Sequence, residues 1–142
     1  MITFQNTKNI ENLNLKKTIK WLEEIILEEN KIQGNIVYLF CDDNYLLEKN
    51  IKYLKHDFLT DILTFDYCKK DLISGDILIS TERVKENAIK YKSTFLIELK
   101  RVIVHGLLHL LAYKDNTTSE KKIMRLKENL YLKKHPDYIE CN

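Results

Sequence analysis

In HGLLHLLAYKD, residues 105 to 115, two of the chain's four histidines stand four positions apart inside a run of leucines. On a helix, residues i and i+4 share a face, so His105 and His109 present two imidazoles side by side. Asp115 comes just after Tyr113 and Lys114, where the apolar helix should end. A turn there carries its carboxylate back toward the pair. Two imidazoles and a carboxylate form a donor set for a divalent cation, with one position left for water or substrate. The other reading is that both histidines are satisfied core or surface residues, because an isolated HxxxH pair is a weak signal.

Over residues 95 to 111 the surrounding helix is apolar around nearly its whole circumference, as a central buried helix is. Glu98, Arg101, His105 and His109 are the main exceptions; they advance by three, four and four positions and so form one stripe. Such a line either faces solvent or builds a site. Glu98 and Arg101 then either orient His105 from behind or form an ordinary i,i+3 ion pair. The spacing HxxxHxxxxxD resembles that of a class of zinc proteases whose general base is a Glu after the first His. Here that position is Gly106, which disfavours peptide hydrolysis by that route. A mid-helix glycine costs about 1 kcal/mol against alanine, so Gly106 serves either close packing or the approach of a ligand.

The stripe has to be held by the rest of the chain. ITF (2 to 4) reads as a short edge strand, and Leu15, Ile19, Leu22, Ile25 and Ile26 mark an amphipathic helix over 15 to 29. NIVYLFC (35 to 41) is a buried strand, Asp42 or Asp43 caps a helix running to about Leu54, and TDILTFDY (60 to 67) and SGDILIS (74 to 80) are two more strands. Helices follow over 81 to 91 and 93 to 113, and Thr117 with Glu120 opens a last one as a capping box. The elements mix without strict βαβ alternation. The expected fold is therefore α+β, or mixed α/β: a small, mostly four-stranded sheet covered by about five helices, with the central apolar helix carrying the metal ligands. Strand order is not legible at this level.

With 142 residues, 44% of them hydrophobic, and no repeat or linker, one domain spanning 1 to 142 is expected. No apolar stretch approaches the about 18 residues of a membrane span, and the start lacks a signal-peptide pattern, so a cytoplasmic protein with no membrane partner is expected. Cys41, Cys68 and Cys141 are odd in number and unpaired in spacing, which points to reduced thiols. A net charge of +2 excludes global attraction to polyanions. Nucleic-acid binding would need a local patch. Only Arg83, Arg101 and Arg125 among the 23 basic residues are arginines, so lysine point charges would carry it.

HGLLHLLAYKD resembles the HGxLHLxGYDH signature of the YbeY family, single-strand-specific, metal-dependent endoribonucleases that mature small-subunit ribosomal RNA. TDILTF (60 to 65) and GDILIS (75 to 80) are similar to that family's TDVLSF and GDIxIS, in the same order, and the likeness runs from about Phe40 to Leu130. The resemblance implies a Zn²⁺-dependent endoribonuclease acting in rRNA 3′-end maturation and ribosome quality control, on single-stranded RNA of an rRNA precursor and alongside ribosomal proteins. His105 and His109 would be the first two metal ligands, and Asp115 would stand where the family has its third His. Other divalent ions, Fe²⁺ among them, suit such a triad. Ala112 replaces the family's Gly, which predicts a turn without positive φ. Leu54 replaces the family's Arg, leaving Lys52, Lys55 or His56 to contact the RNA phosphate, or to form only a solvated loop. The catalytic base is left open. Lysines around 49 to 56 and 69 to 70 would follow the RNA backbone, and Tyr53 and Tyr67 would stack on bases or else pack in the core. Two other functions fit the same residues: a metal-holding RNA-binding module in ribosome assembly that does not cut, and a metal hydrolase with another substrate.

Overall fold

The computed structural model describes residues 1–139. Its elements run β1 (Ile2–Gln5), a 3-10 turn (Thr7–Ile10), α1 (Leu15–Glu28), β2 (Ile32–Cys41), α2 (Asp43–Lys49), a π turn (Asn50–Leu54), β3 (Ile62–Asp66), β4 (Leu72–Ser80), α3 (Thr81–Lys90), α4 (Phe95–Leu110) and α5 (Thr118–Leu132). The α+β reading holds: four strands in one mixed sheet and five α-helices. Strand order is β1-β2-β4-β3, with β1, β2 and β4 parallel and β3 antiparallel to β4. Both ITF and TDILTF therefore lie on sheet edges.

Alternation along the strands sorts their residues onto two faces. Ile36, Tyr38 and Phe40 of β2 with Ile77 and Ile79 of β4 point to one side, where Trp21, Leu22, Ile25 and Ile26 of α1 and Leu99, Ile103 and Leu107 of α4 close the main core. On the other side Leu63 and Leu78 pack against Leu46 of α2 in a smaller cluster. Tyr38, fully buried, donates its hydroxyl to the Ile103 carbonyl at 2.8 Å and so ties the centre of the sheet to α4. Gly106 sits where α4 crosses the sheet: a Cβ there would lie 2.8 Å from Ile77 Cγ2 and 2.9 Å from Ile62 Cδ1. Of its two readings, close packing is the one the structure supports.

Local chemistry fixes the ends of the elements. Asp42, not Asp43, caps α2, accepting from the Tyr45 N–H; Asp43 turns instead to Arg83 Nη2 at 2.8 Å and ties α2 to α3. The expected helix to Leu54 is present but loosens into the π turn after Lys49 and stops at Lys55, whose φ is 57°. α4 ends earlier than the apolar run suggests, at Leu110, because Ala112 adopts a φ of 75°. That corrects the expectation of a turn without positive φ. The alanine takes the left-handed conformation at a steric cost that a glycine would avoid. The Thr117–Glu120 capping box forms as expected. Cys41 and Cys68 are free thiols; Cys141 lies outside the described residues. Among the described residues no helix is long and apolar enough to cross a membrane.

Candidate metal centre

His105 and His109 lie on the face of α4 that looks past the β3 edge toward α5, and the turn after α4 returns Asp115 to them. Three atoms converge. His109 Nε2 is 3.0 Å from His105 Nε2, and Asp115 Oδ2 is 3.3 Å from each. All three residues are half-buried.

The opposite ring nitrogens explain what those three atoms are. His105 Nδ1 is 2.7 Å from Glu128 Oε2, and His109 Nδ1 is 3.0 Å from the Tyr113 carbonyl oxygen. Neither oxygen can donate, so both Nδ1 atoms carry protons. In the neutral rings both Nε2 atoms are then bare acceptors, facing each other and a carboxylate with no donor among them. Only a cation or a shared proton reconciles such a set. Its dimensions suit a metal: ligand atoms about 2.0–2.1 Å from a tetrahedral Zn²⁺ lie about 3.3 Å from one another, close to the three separations here. The group could hold a metal ion.

Two anchors outside the triad give it this shape. The Tyr113 hydroxyl donates to Glu29 Oε1 at 2.6 Å, and Glu29 also accepts from Tyr131 and from Lys127. That fixes the turn and with it the carbonyl that receives His109. Glu128, buried on α5, is held by Arg101 Nη1 at 3.0 Å and more loosely by Arg125 at 3.5 Å. The i,i+3 pairing of Glu98 with Arg101 is not what forms: Arg101 reaches Glu128 and Asn129 on α5 instead.

Electrostatics follow from these neighbours. Burial alone would lower the pKa of His105, but its hydrogen bond to Glu128, then the charges of Glu128, Asp115 and Asp61, raise it above the ordinary imidazole value. His109 is held below that value by burial and then by the charge of His105. Burial works against the Glu128 carboxylate, yet the hydrogen bond and charge of His105, then the hydrogen bond of Arg101 and the charge of Arg125, keep it below the usual glutamate range. Across the opening, burial raises the carboxyls of Asp61 and Glu98.

Two hollows meet at His105, Asp61 and Asp115. One, of about 470 Å³, runs along β3 with Leu54 and Thr60 on its rim. The other, of about 290 Å³, lies between α3, α4 and α5 and brings Asn87, Arg101 and Arg125 to the same opening. Of the proposed RNA-contacting segment, only Leu54 lines either hollow. Lys52, Lys55 and His56 are exposed outside them, Lys52 lying over the Tyr53 ring and His56 stacked on Phe58.

Sequence reasoning missed Asp61, Glu128 and Arg125. Asp61 lies inside the TDILTF motif, which was available as a signal. Glu128 is an acid in line with the buried Met124 and Tyr131 at helical spacing on α5, and a lone carboxylate on an apolar stripe is itself informative.

The chain is similar to known proteins. The family model for Endoribonuclease YbeY matches residues 1–135. A Flavobacterium psychrophilum protein named Endoribonuclease YbeY is 50% identical over 133 residues, covering 94% of this chain and 95% of its own. One of the same name from Flavobacterium johnsoniae is 45% identical, covering 91% of this chain and 93% of its own. The solution structure of TM1509 from Thermotoga maritima is similar with a TM-score of 0.66 at 29% identity, over 94% of this chain and 87% of that one.

Proposed function

Because the chain belongs to the YbeY endoribonuclease family, we propose that it is a zinc-dependent endoribonuclease acting on single-stranded RNA. Its setting would be small-subunit rRNA 3′-end maturation and ribosome quality control in the cytoplasm, on an rRNA precursor and beside ribosomal proteins. The observation that carries this reading is the convergence of His105 Nε2, His109 Nε2 and Asp115 Oδ2 at 3.0 to 3.3 Å, all three of them acceptors when the rings are neutral.

These three residues would hold the ion. When bound, Zn²⁺ supplies Lewis-acid chemistry, drawing charge from a phosphodiester oxygen and acidifying water. Everything else falls to the chain. Glu128 and the Tyr113 carbonyl hold the protons at Nδ1, so both Nε2 lone pairs stay aimed inward. The Arg125 guanidinium, largely exposed and held only at 3.5 Å by Glu128, can turn to a phosphate at the mouth of the site. Asp61 faces the same opening with a carboxyl that burial biases toward its protonated form, and Asn87 Nδ2 donates to it at 3.4 Å. It is the residue best placed to take or give a proton. Leu54, where the family has Arg, leaves the opposite wall without a cation, so the phosphate is held from the α5 side.

The test is cleavage of single-stranded RNA by the metal-loaded protein, with elemental analysis of the same sample. Wild type should cut and carry about one ion per chain. Asp115→Ala should lose both properties while keeping its circular dichroism. Cleavage by Asp115→Ala at the wild-type rate would overturn the reading.

A further inference from the structure

The sheet face turned away from α1 and α4 is only partly covered. Beyond the small cluster under α2 it opens into a groove of about 510 Å³, floored by Val37, Leu39 and Leu78 and walled by Tyr45, Tyr53 and Tyr67. The three tyrosines are 39%, 54% and 56% exposed, high values for rings gathered in one place. Lys49 stands between two of them, its ammonium 5.2 Å from the Tyr45 ring and 5.6 Å from the Tyr53 ring, and Lys52 lies 5.2 Å from the outer ring of Tyr53. Phe65 supports Tyr53 edge-on at 5.8 Å. One acid, Asp76, faces the groove, and the Tyr67 hydroxyl donates to it at 3.3 Å.

This groove and the metal site share a wall. Tyr53 lines the groove and Leu54 the metal-side hollow; likewise Phe65 and Tyr67 line the groove and Asp66 the hollow. The wall is the π turn together with β3, and β3 is a sheet edge, so a chain that crosses from one side to the other meets no further strand.

We infer that this aromatic groove binds the unpaired bases of single-stranded RNA, as a stacking subsite for the part of the strand that leaves the metal centre across the β3 edge. The inference rests on the endoribonuclease reading for the kind of strand involved. Exposed rings interleaved with lysines are what such a strand needs: a face for each base and a mobile positive charge for each phosphate. Lys49 and Lys52 serve this purpose because an ammonium over an exposed ring is held only weakly and can exchange the ring for a phosphate. An apolar protein segment in the same groove would bury the Lys49 ammonium and the Asp76 carboxylate, which form no ion pair with each other, a costly outcome. Charge complementarity therefore favours RNA.

Fluorescence anisotropy of a labelled single-stranded RNA of mixed sequence, about 12 nucleotides long, tests this with the zinc-loaded protein, cleavage being followed on the same samples by gel. Tyr53→Ala and Tyr67→Ala should each raise Kd roughly fivefold or more, while Tyr53→Phe, which keeps the ring, should not. Tyr138→Ala, which lies outside the groove, serves as a control and should leave Kd unchanged. Circular dichroism checks that each variant is folded. A Kd unmoved by both alanine variants overturns the inference, whether or not RNA is cut, as does failure of the wild type to bind. So does unchanged RNA affinity combined with lost retention of a protein partner, which would make the groove a protein-docking face. Binding that depends on the tyrosines in a protein that never cuts would sustain the groove and overturn the endoribonuclease reading instead.

Discussion

Glu128 Oε2 lies 2.7 Å from His105 Nδ1, and Arg101 grips the other oxygen of the same carboxylate at 3.0 Å. A helix that offers no atom to the candidate metal site thus determines which nitrogen of His105 is free to bind. Glu128→Gln keeps an oxygen for the Nδ1 proton but loses the charge, and zinc affinity should fall about tenfold; Glu128→Ala should approach a hundredfold. Competition with a chelator measures both. Equal affinity in all three proteins would show that the contact does not orient the ligand.

Asp115 brings a negative charge to a position where a histidine would bring none. Water acidified at the centre should therefore be a weaker acid than it would be beside three imidazoles. In metal-loaded Asp115→His the acid limb of the pH–rate profile should move to lower pH, by up to about two units. A limb that stays in place or moves upward contradicts this.

At Gly106 two effects oppose each other. Alanine gains about 1 kcal/mol of helix propensity, but its Cβ would lie 2.8 to 2.9 Å from Ile77 and Ile62, and overpacking of this kind costs about 1–3 kcal/mol. Gly106→Ala should be destabilised by a net 1 kcal/mol or so, read as a lower denaturant midpoint at unchanged slope. The loss should be accompanied by weaker zinc binding, since α4 must shift to accommodate the methyl group.

Ala112, with a φ of 75°, holds a left-handed turn that glycine adopts without clash. Ala112→Gly should raise stability by about 0.5–1 kcal/mol, or Tm by about 2–4 °C. A fall in Tm would mean that the unfolded-state entropy of glycine outweighs the relief.

His135 is 3% exposed, and its environment requires it to be neutral. Thr18 spends its only hydroxyl proton on the Asn14 carbonyl, so His135 Nε2–H donates to Thr18 Oγ1 while Nδ1 accepts from the Asp137 N–H. Burial, then the charge of Lys100, push the imidazole down to about 4. The unfolded chain takes up this proton at about 6.5. The stabilising contribution is thus complete above about pH 6.5 and declines as pH falls toward about 4, by up to about 3 kcal/mol. Denaturant midpoints at neutral and acid pH should diverge more in wild type than in His135→Gln.

What the sequence revealed depended on how local the signal was. The helical period exposes the stripe of His105 and His109 directly, because α4 is regular, and the three strands after α1 are short apolar runs bounded by polar turns. Asp115 is close enough along the chain for its return to be anticipated. Glu128 and Asp61 are not: each reaches the site by packing of a separate element, and no spacing rule connects residue 61 or 128 to residue 105. Lys52, Lys55 and His56 looked suited to a phosphate by type and by position next to Leu54. The π turn sends only Leu54 toward the metal-side cleft and leaves Lys52 over Tyr53 at the tyrosine groove, and that irregularity has no periodic signature. The positive φ of Ala112 runs against the expectation from its type, because alanine normally avoids that conformation.

All three candidate donors fall between residues 105 and 115. A loop that short is already half closed in a denatured chain, so such a chain would keep appreciable affinity for the ion, and occupancy would raise the melting temperature less than the native affinity implies. If the three donors hold an ion, newly made protein would acquire it before the sheet assembles.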